Sequence, residues 1–105
     1  MRLKDRVAII TGGACGIGRE TASTFAKEGA RVVIADRDET TGEEAVAQLR
    51  ESGADALFYA LDVTDAESVN RMVETVVNRF QRIDILINNA GITADSMLDK
   101  LTPEQ

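Results

Sequence analysis

Four short apolar runs punctuate the chain, spaced so that a helix fits between each pair. Val7 to Ile10, Val32 to Ala35, Ala56 to Leu61 and Ile83 to Ile87 are mostly continuous rather than alternating. That pattern belongs to strands covered on both faces, as in a parallel sheet. Helical spacing fills the gaps. Ile17, Ala22, Phe25 and Ala26 share one rough face, and Ala45, Val46 and Leu49 a weaker one. Gly29 and Gly53 stand where each helix should end in a left-handed residue. The clearest stripe is the third, with Val69, Met72, Val73, Val76, Val77 and Phe80 stepping by three and four residues. Thr64 and Glu67 have the spacing of a capping box at its start.

The alternation of strand and helix predicts an α/β fold: a parallel sheet of about four strands joined by right-handed crossovers. No linker or low-complexity segment divides it. After Asn89 the pattern loosens into "AGITADSMLDK", a loop with room for one helical turn. The final "LTPEQ" combines an N-capping Thr102, a first-turn Pro103 and Gln105 three residues after the cap. It reads equally as a helix start or a polar tail.

Composition narrows the partners. The chain has 105 residues, 44% hydrophobic and 29% charged, the balance of a globular domain with a modest core. A net charge of −6 argues against nucleic acid or an anionic membrane as the main partner. One cysteine excludes an internal disulfide, and the absence of histidine removes the usual zinc ligands. No apolar run reaches the ~20 residues of a membrane span, and the opening "MRLKDRVAII" is too short in its apolar part for a signal peptide. The expected compartment is the reducing cytoplasm.

The candidate chemistry lies where the first strand meets the first helix, in "TGGACGIGRE". Gly12, Gly13, Gly16 and Gly18 occupy a turn that brings backbone N–H groups and the positive end of a helix dipole to one point, suited to a pyrophosphate. The spacing is Gly12-x-x-x-Gly16-x-Gly18, not G-x-G-x-x-G, and no Walker lysine follows. Asp36 closes the second strand, twenty residues beyond Gly16. A carboxylate there can accept from both adenosine ribose hydroxyls and repel a 2′-phosphate, which favours NAD over NADP. The competing role for Asp36 is to start the "DRDE" turn. The neighbouring Arg37 could instead accept the phosphate of NADP. Cys15 sits at a helix amino terminus, which lowers a thiol pKa, but a small residue contributing only its backbone to the turn is the favoured reading.

Three motifs together, "TGGACGIG", Asp62–Val63 and "NNAG" from Asn88 to Gly91, resemble the short-chain dehydrogenase/reductase family over essentially the whole chain. The resemblance implies a Rossmann-type three-layer sandwich with strand order 3-2-1-4 and a nicotinamide dinucleotide as partner. It implies that Thr11 and the glycine loop shape a pyrophosphate site with Ile17 at its edge. Asp62 and Val63 would flank the adenine, and Asn89, Ala90 and Gly91 would line the ribose side of the cleft. Asn88 is expected to tie neighbouring strands together. The tail from "NNAG" onward is most similar to the 3-oxoacyl-(acyl carrier protein) reductase branch.

In that family a Tyr-x-x-x-Lys pair and a serine handle the proton while hydride moves between cofactor and substrate. Here the single tyrosine, Tyr59, is followed four residues later by Val63, and Ser23, Ser52, Ser68 and Ser96 have no such pair beside them. The resemblance therefore implies that residues 1–105 are the amino-terminal half of a dinucleotide-binding Rossmann domain, truncated before the catalytic half and without turnover of its own. The segment "DILIN" should then expose an unpaired edge through which copies self-associate. The competing expectation is a stand-alone, non-catalytic nucleotide-binding or assembly module built on the half-fold. A receiver- or flavodoxin-like domain does not account for the glycine loop, Asp36 and "NNAG" together.

Overall fold

A computed structural model describes residues 2–14, 16–62 and 64–88. The "LTPEQ" segment and the loop before it lie outside the described residues. The elements are β1 (Val7–Thr11), α1 (Gly16–Lys27), β2 (Arg31–Asp36), α2 (Glu39–Glu51), β3 (Ala56–Ala60), α3 (Ala66–Phe80) and β4 (Ile85–Asn88). The strands form one parallel sheet in the order β3-β2-β1-β4, the α/β order that the family resemblance implied.

Burial explains why the apolar runs are continuous. Every residue of β1 is buried, as are Val32 to Ala35 of β2. One face of the sheet presents Val7, Ile9 and Val33 to Val69, Met72, Val76 and Phe80 of α3. The other presents Ile10, Val32 and Ile34 to Ala22 of α1 and Ala45, Val46 and Leu49 of α2. Residues of β1 and the middle of β2 thus face a helix on one side or the other, giving three layers, while β3 and β4 are only partly covered. Gly29 and Gly53 adopt φ of 92° and 94° at the predicted helix ends.

Three details differ from the periodic reading. Ile17 is 77% exposed and Val77 40% exposed, so neither belongs to the core. The capping box at α3 does not form. Thr64 donates its N–H and hydroxyl to Asp62 Oδ1 at 3.0 and 2.6 Å, and Asp65 caps the helix instead by accepting from Glu67 N–H. The Thr64 hydroxyl is committed to Asp62, and the cap falls one residue later. Ile83 and Leu61 lie just outside their strands, although Leu61 remains buried.

The register of β4 on β1 is pinned at the end opposite the glycine turn. Asp84 accepts from Val7 N–H at 2.9 Å and from Arg82 through two bonds of 2.8 and 2.7 Å, with Arg6 at 3.4 Å. The Arg82 guanidinium, followed by the Val7 N–H, holds the Asp84 carboxyl down to about 2 from its ordinary 3.8. Its side chain is only 14% exposed. A carboxyl whose pKa is depressed on folding stabilises the fold above its unfolded value, and that contribution fades as pH falls toward the folded value. Asp84→Asn should therefore lower stability at neutral pH by on the order of 2 kcal/mol. Urea unfolding of the two proteins should show this gap closing between about pH 4 and about pH 2; a gap independent of pH would mean that packing, not charge, sets the effect.

Among the described residues, no helix is long and apolar enough to cross a membrane, and no group of three or more His, Cys, Asp or Glu side chains could hold a metal ion.

Candidate functional site

The carboxyl ends of β1, β2 and β3 open on one side of the sheet. There the chain leaves β1 through Gly12, which has φ 66°, and enters α1 at Gly16, which has φ 62°. Both angles lie in the left-handed region that glycine tolerates without a steric penalty. The turn is tight underneath. A Cβ on Gly18 would stand 2.3 Å from the carbonyl oxygen of Gly12, and one on Gly13 would stand 3.0 Å from that of Ile10. Above Gly16 it is open, for a Cβ there would meet nothing within 4 Å. The first turn of α1 carries no acidic side chain to offset its positive dipole.

Thr11 is fully buried, and its hydroxyl lies 2.9 Å from Asn88 Oδ1 and 3.3 Å from the Ile87 carbonyl oxygen. It joins the end of β1 to the end of β4. Asn88 does tie neighbouring strands, as expected.

The glycine turn is fastened sideways to β2. Gly12 N–H donates to the Ala35 carbonyl at 2.8 Å, and Ala14 N–H donates to Asp36 Oδ2 at 3.2 Å. The other oxygen of Asp36 accepts from Asp38 N–H at 3.0 Å, and Asp38 caps α2 by accepting from Thr41. Asp36 thus performs the turn-starting role at "DRDE" while still facing the cleft. That cleft, about 310 Å³, is lined by Gly12, Ala35, Asp36, Arg37, Leu61, Asp62 and Thr64.

Asp62 forms the far wall. Its backbone N–H donates to Ser68 Oγ at 3.2 Å, and its carboxylate is the acceptor for Thr64. The Thr64 hydroxyl first, then the Thr64 N–H, hold its pKa below the ordinary carboxylate value, with the positive charge of Arg37 adding to the effect. The cleft therefore carries two fixed carboxylates and one guanidinium at its rim. Ile17 lies on the exposed first turn of α1.

Of the residues singled out in the sequence, Gly12, Asp36, Arg37 and Asp62 line one cleft; Gly18 packs against Gly12 beneath the turn, while Thr11, Gly16 and Ile17 do not line that cleft. Cys15, Val63, Asn89, Ala90 and Gly91 lie outside the described residues. Four contributors escaped the sequence reading: the Ala14 N–H, Ala35, Leu61 and Thr64. Only Thr64 had a local signal, since a threonine two residues after an aspartate favours an Asx-type turn.

The family model described as "short chain dehydrogenase" matches residues 6–105. The chain is 50% identical over 91 residues to a 2,5-dichloro-2,5-cyclohexadiene-1,4-diol dehydrogenase of Sphingobium indicum, covering 87% of this chain and 36% of that protein. It is 40% identical over 104 residues to a 3-oxoacyl-(acyl-carrier-protein) reductase of Thermotoga maritima, covering 99% of this chain and 42% of the reductase. The crystal structure of an NAD+-bound xylitol dehydrogenase superposes with a TM-score of 0.84 at 38% identity, covering 88% of this chain and 35% of that one. The chain thus spans well under half the length of each of these relatives.

Proposed function

The chain belongs to the short chain dehydrogenase family, and we propose that its glycine turn and adjoining cleft hold the adenosine and pyrophosphate end of a nicotinamide dinucleotide. One observation carries this reading: a turn packed tight beneath, open above Gly16, with the Asp36 carboxylate at its rim. The residues fit the group. Backbone N–H groups and the unopposed dipole of α1 suit a pyrophosphate, and Asp36 suits a ribose diol. On this reading Asp62 flanks the adenine and Ile17 borders the phosphates; the family pattern assigns Val63 to the adenine, Asn89, Ala90 and Gly91 to the ribose, and Cys15 to the pyrophosphate.

NAD is the preferred form. A 2′-phosphate would meet the carboxylate of Asp36, and the charge of Arg37 already acts on the neighbouring Asp62 carboxylate. When bound, the nicotinamide supplies hydride transfer between an alcohol and a carbonyl. The match along 99% of this chain to a 3-oxoacyl thioester reductase supports that substrate class for the whole enzyme. Residues 1–105 serve as the amino-terminal half of the dinucleotide-binding domain in the cytoplasm. They bind without turning over, because the sequence holds no Tyr-x-x-x-Lys pair to move the proton.

Calorimetric titration of the purified chain tests this reading. Saturable binding of NAD, roughly tenfold or more tighter than NADP, is the expected outcome, since a buried or rim charge clash is worth at least that factor. Equal affinities would remove the preference, and a folded chain that binds neither would remove the site. Sedimentation velocity on the same samples reads whether copies pair along β4, which has no strand on its outer side among the described residues.

A further inference from the structure

We propose that Asp36 is a positioning residue as well as a ribose acceptor: it locks the glycine turn to the start of α2 before any dinucleotide arrives. Three bonds converge on this one residue from three different segments, the glycine turn, the cap of α2 and the end of β3. Oδ2 accepts from Ala14 N–H in the glycine turn at 3.2 Å, and Oδ1 accepts from Asp38 N–H at the cap of α2 at 3.0 Å. The Asp36 carbonyl accepts from Leu61 N–H at 3.0 Å, just before Asp62.

The bond to Ala14 matters because Ala14 is 1% exposed. Water cannot readily replace the carboxylate, so removing it leaves a buried N–H without an acceptor. A carboxylate oxygen has more than one lone pair, so each can keep its N–H and still receive a ribose hydroxyl. The two N–H groups therefore orient the carboxylate in advance, and ligand binding need not freeze it. Asparagine could satisfy only one of the two donors, because its amide nitrogen would face the other. Alanine could satisfy neither. The positioning itself depends only on these contacts; its value for binding rests on the dinucleotide reading above.

Amide hydrogen exchange by NMR on the ligand-free chain tests the proposal, comparing the wild type with Asp36→Asn and Asp36→Ala. In Asp36→Ala the amides of Ala14 and Asp38 should exchange about tenfold faster, the effect of losing one hydrogen bond each. In Asp36→Asn one of the two should remain slow. The Gly12 amide, bonded to the Ala35 carbonyl, should keep its rate in both and reports any general loosening. Wild-type rates at Ala14 and Asp38 in the alanine variant would overturn the proposal. If that variant loosens throughout, the asparagine variant decides: one selectively faster amide supports the lock, and none refutes it. Titrating NAD into the same samples separates the two readings. Selective loosening in a chain that binds no NAD would leave the lock standing and remove the cofactor site. NAD binding with unchanged amides would do the reverse.

Discussion

Gly18→Ala should lower the stability of the chain by about 3 kcal/mol and weaken dinucleotide binding by roughly tenfold or more. The added Cβ would stand 2.3 Å from the Gly12 carbonyl oxygen, 3.0 Å from the Gly12 carbonyl carbon and 3.1 Å from the Gly13 Cα. All three are backbone atoms, so no side chain can swing aside. Gly12 cannot retreat either, because its N–H is bonded to the Ala35 carbonyl at 2.8 Å at the end of the two central strands. Alanine's better helix propensity returns at most about 1 kcal/mol, too little to offset an overlap of that depth. Either α1 lifts from the end of β1 or the turn opens, and both outcomes disperse the N–H groups of the proposed phosphate site. Urea unfolding gives the first number and calorimetric titration of NAD the second. A variant as stable as the wild type would mean that α1 and the turn are not packed this closely.

Gly16 supplies the contrast for the same pair of measurements. Its φ is 62° but a Cβ there would meet nothing within 4 Å. Alanine at this position costs the left-handed strain of about 1–2 kcal/mol, while its methyl projects into open space on the side where the pyrophosphate is proposed to bind. Binding should suffer out of proportion to stability, the opposite ordering from Gly18.

These two glycines show what was legible in the sequence. Their clustering between a buried strand and a helix announced a turn that approaches something closely, but not which glycine is packed against backbone and which faces open space. That distinction depends on the direction in which each missing Cβ would point. The strands were legible because burial on both faces leaves an unbroken apolar run, as in β1, where every residue is buried. Their lateral order was not; it came with the family motifs, since periodicity carries no information about neighbours. Ile17 was misplaced because a helical repeat assigns a side without telling whether sheet lies beneath the first turn. At α3, Thr64 and Asp65 both have capping chemistry, and the choice was made by a third residue, Asp62, which takes the Thr64 hydroxyl. Asp36 was read as a ligand group. Its hold on Ala14, twenty-two residues away in the chain, arises only once β1 and β2 are paired.

Gly42→Ala tests the packing of α2 on the sheet and has a sign that propensity alone gets wrong. Gly42 is a buried residue within α2, where glycine is ordinarily about 1 kcal/mol worse than alanine. On that ground the substitution would stabilise. The structure argues otherwise, because a Cβ at Gly42 would lie 2.1 Å from Phe58 Cε1 and 2.5 Å from Cδ1. Phe58 projects from β3 into the layer formed by Ala45, Val46 and Leu49, so its ring can move only by disturbing its neighbours or by lifting the helix. The net expectation is destabilisation by about 2 kcal/mol, the overpacking penalty outweighing the propensity gain. Phe58→Leu alone loses ring contacts, yet it makes room for the alanine methyl. In the double-mutant cycle the two changes should therefore offset one another, with a coupling of about 1–2 kcal/mol. Neither residue lines the cleft, so NAD affinity measured on the folded fraction should stay within about twofold of wild type, well inside one hydrogen bond's worth. Additive losses would show that the ring and the helix do not meet. A stabilised Gly42→Ala would show that α2 rides higher on the sheet, leaving Gly42 a residue of propensity rather than of packing.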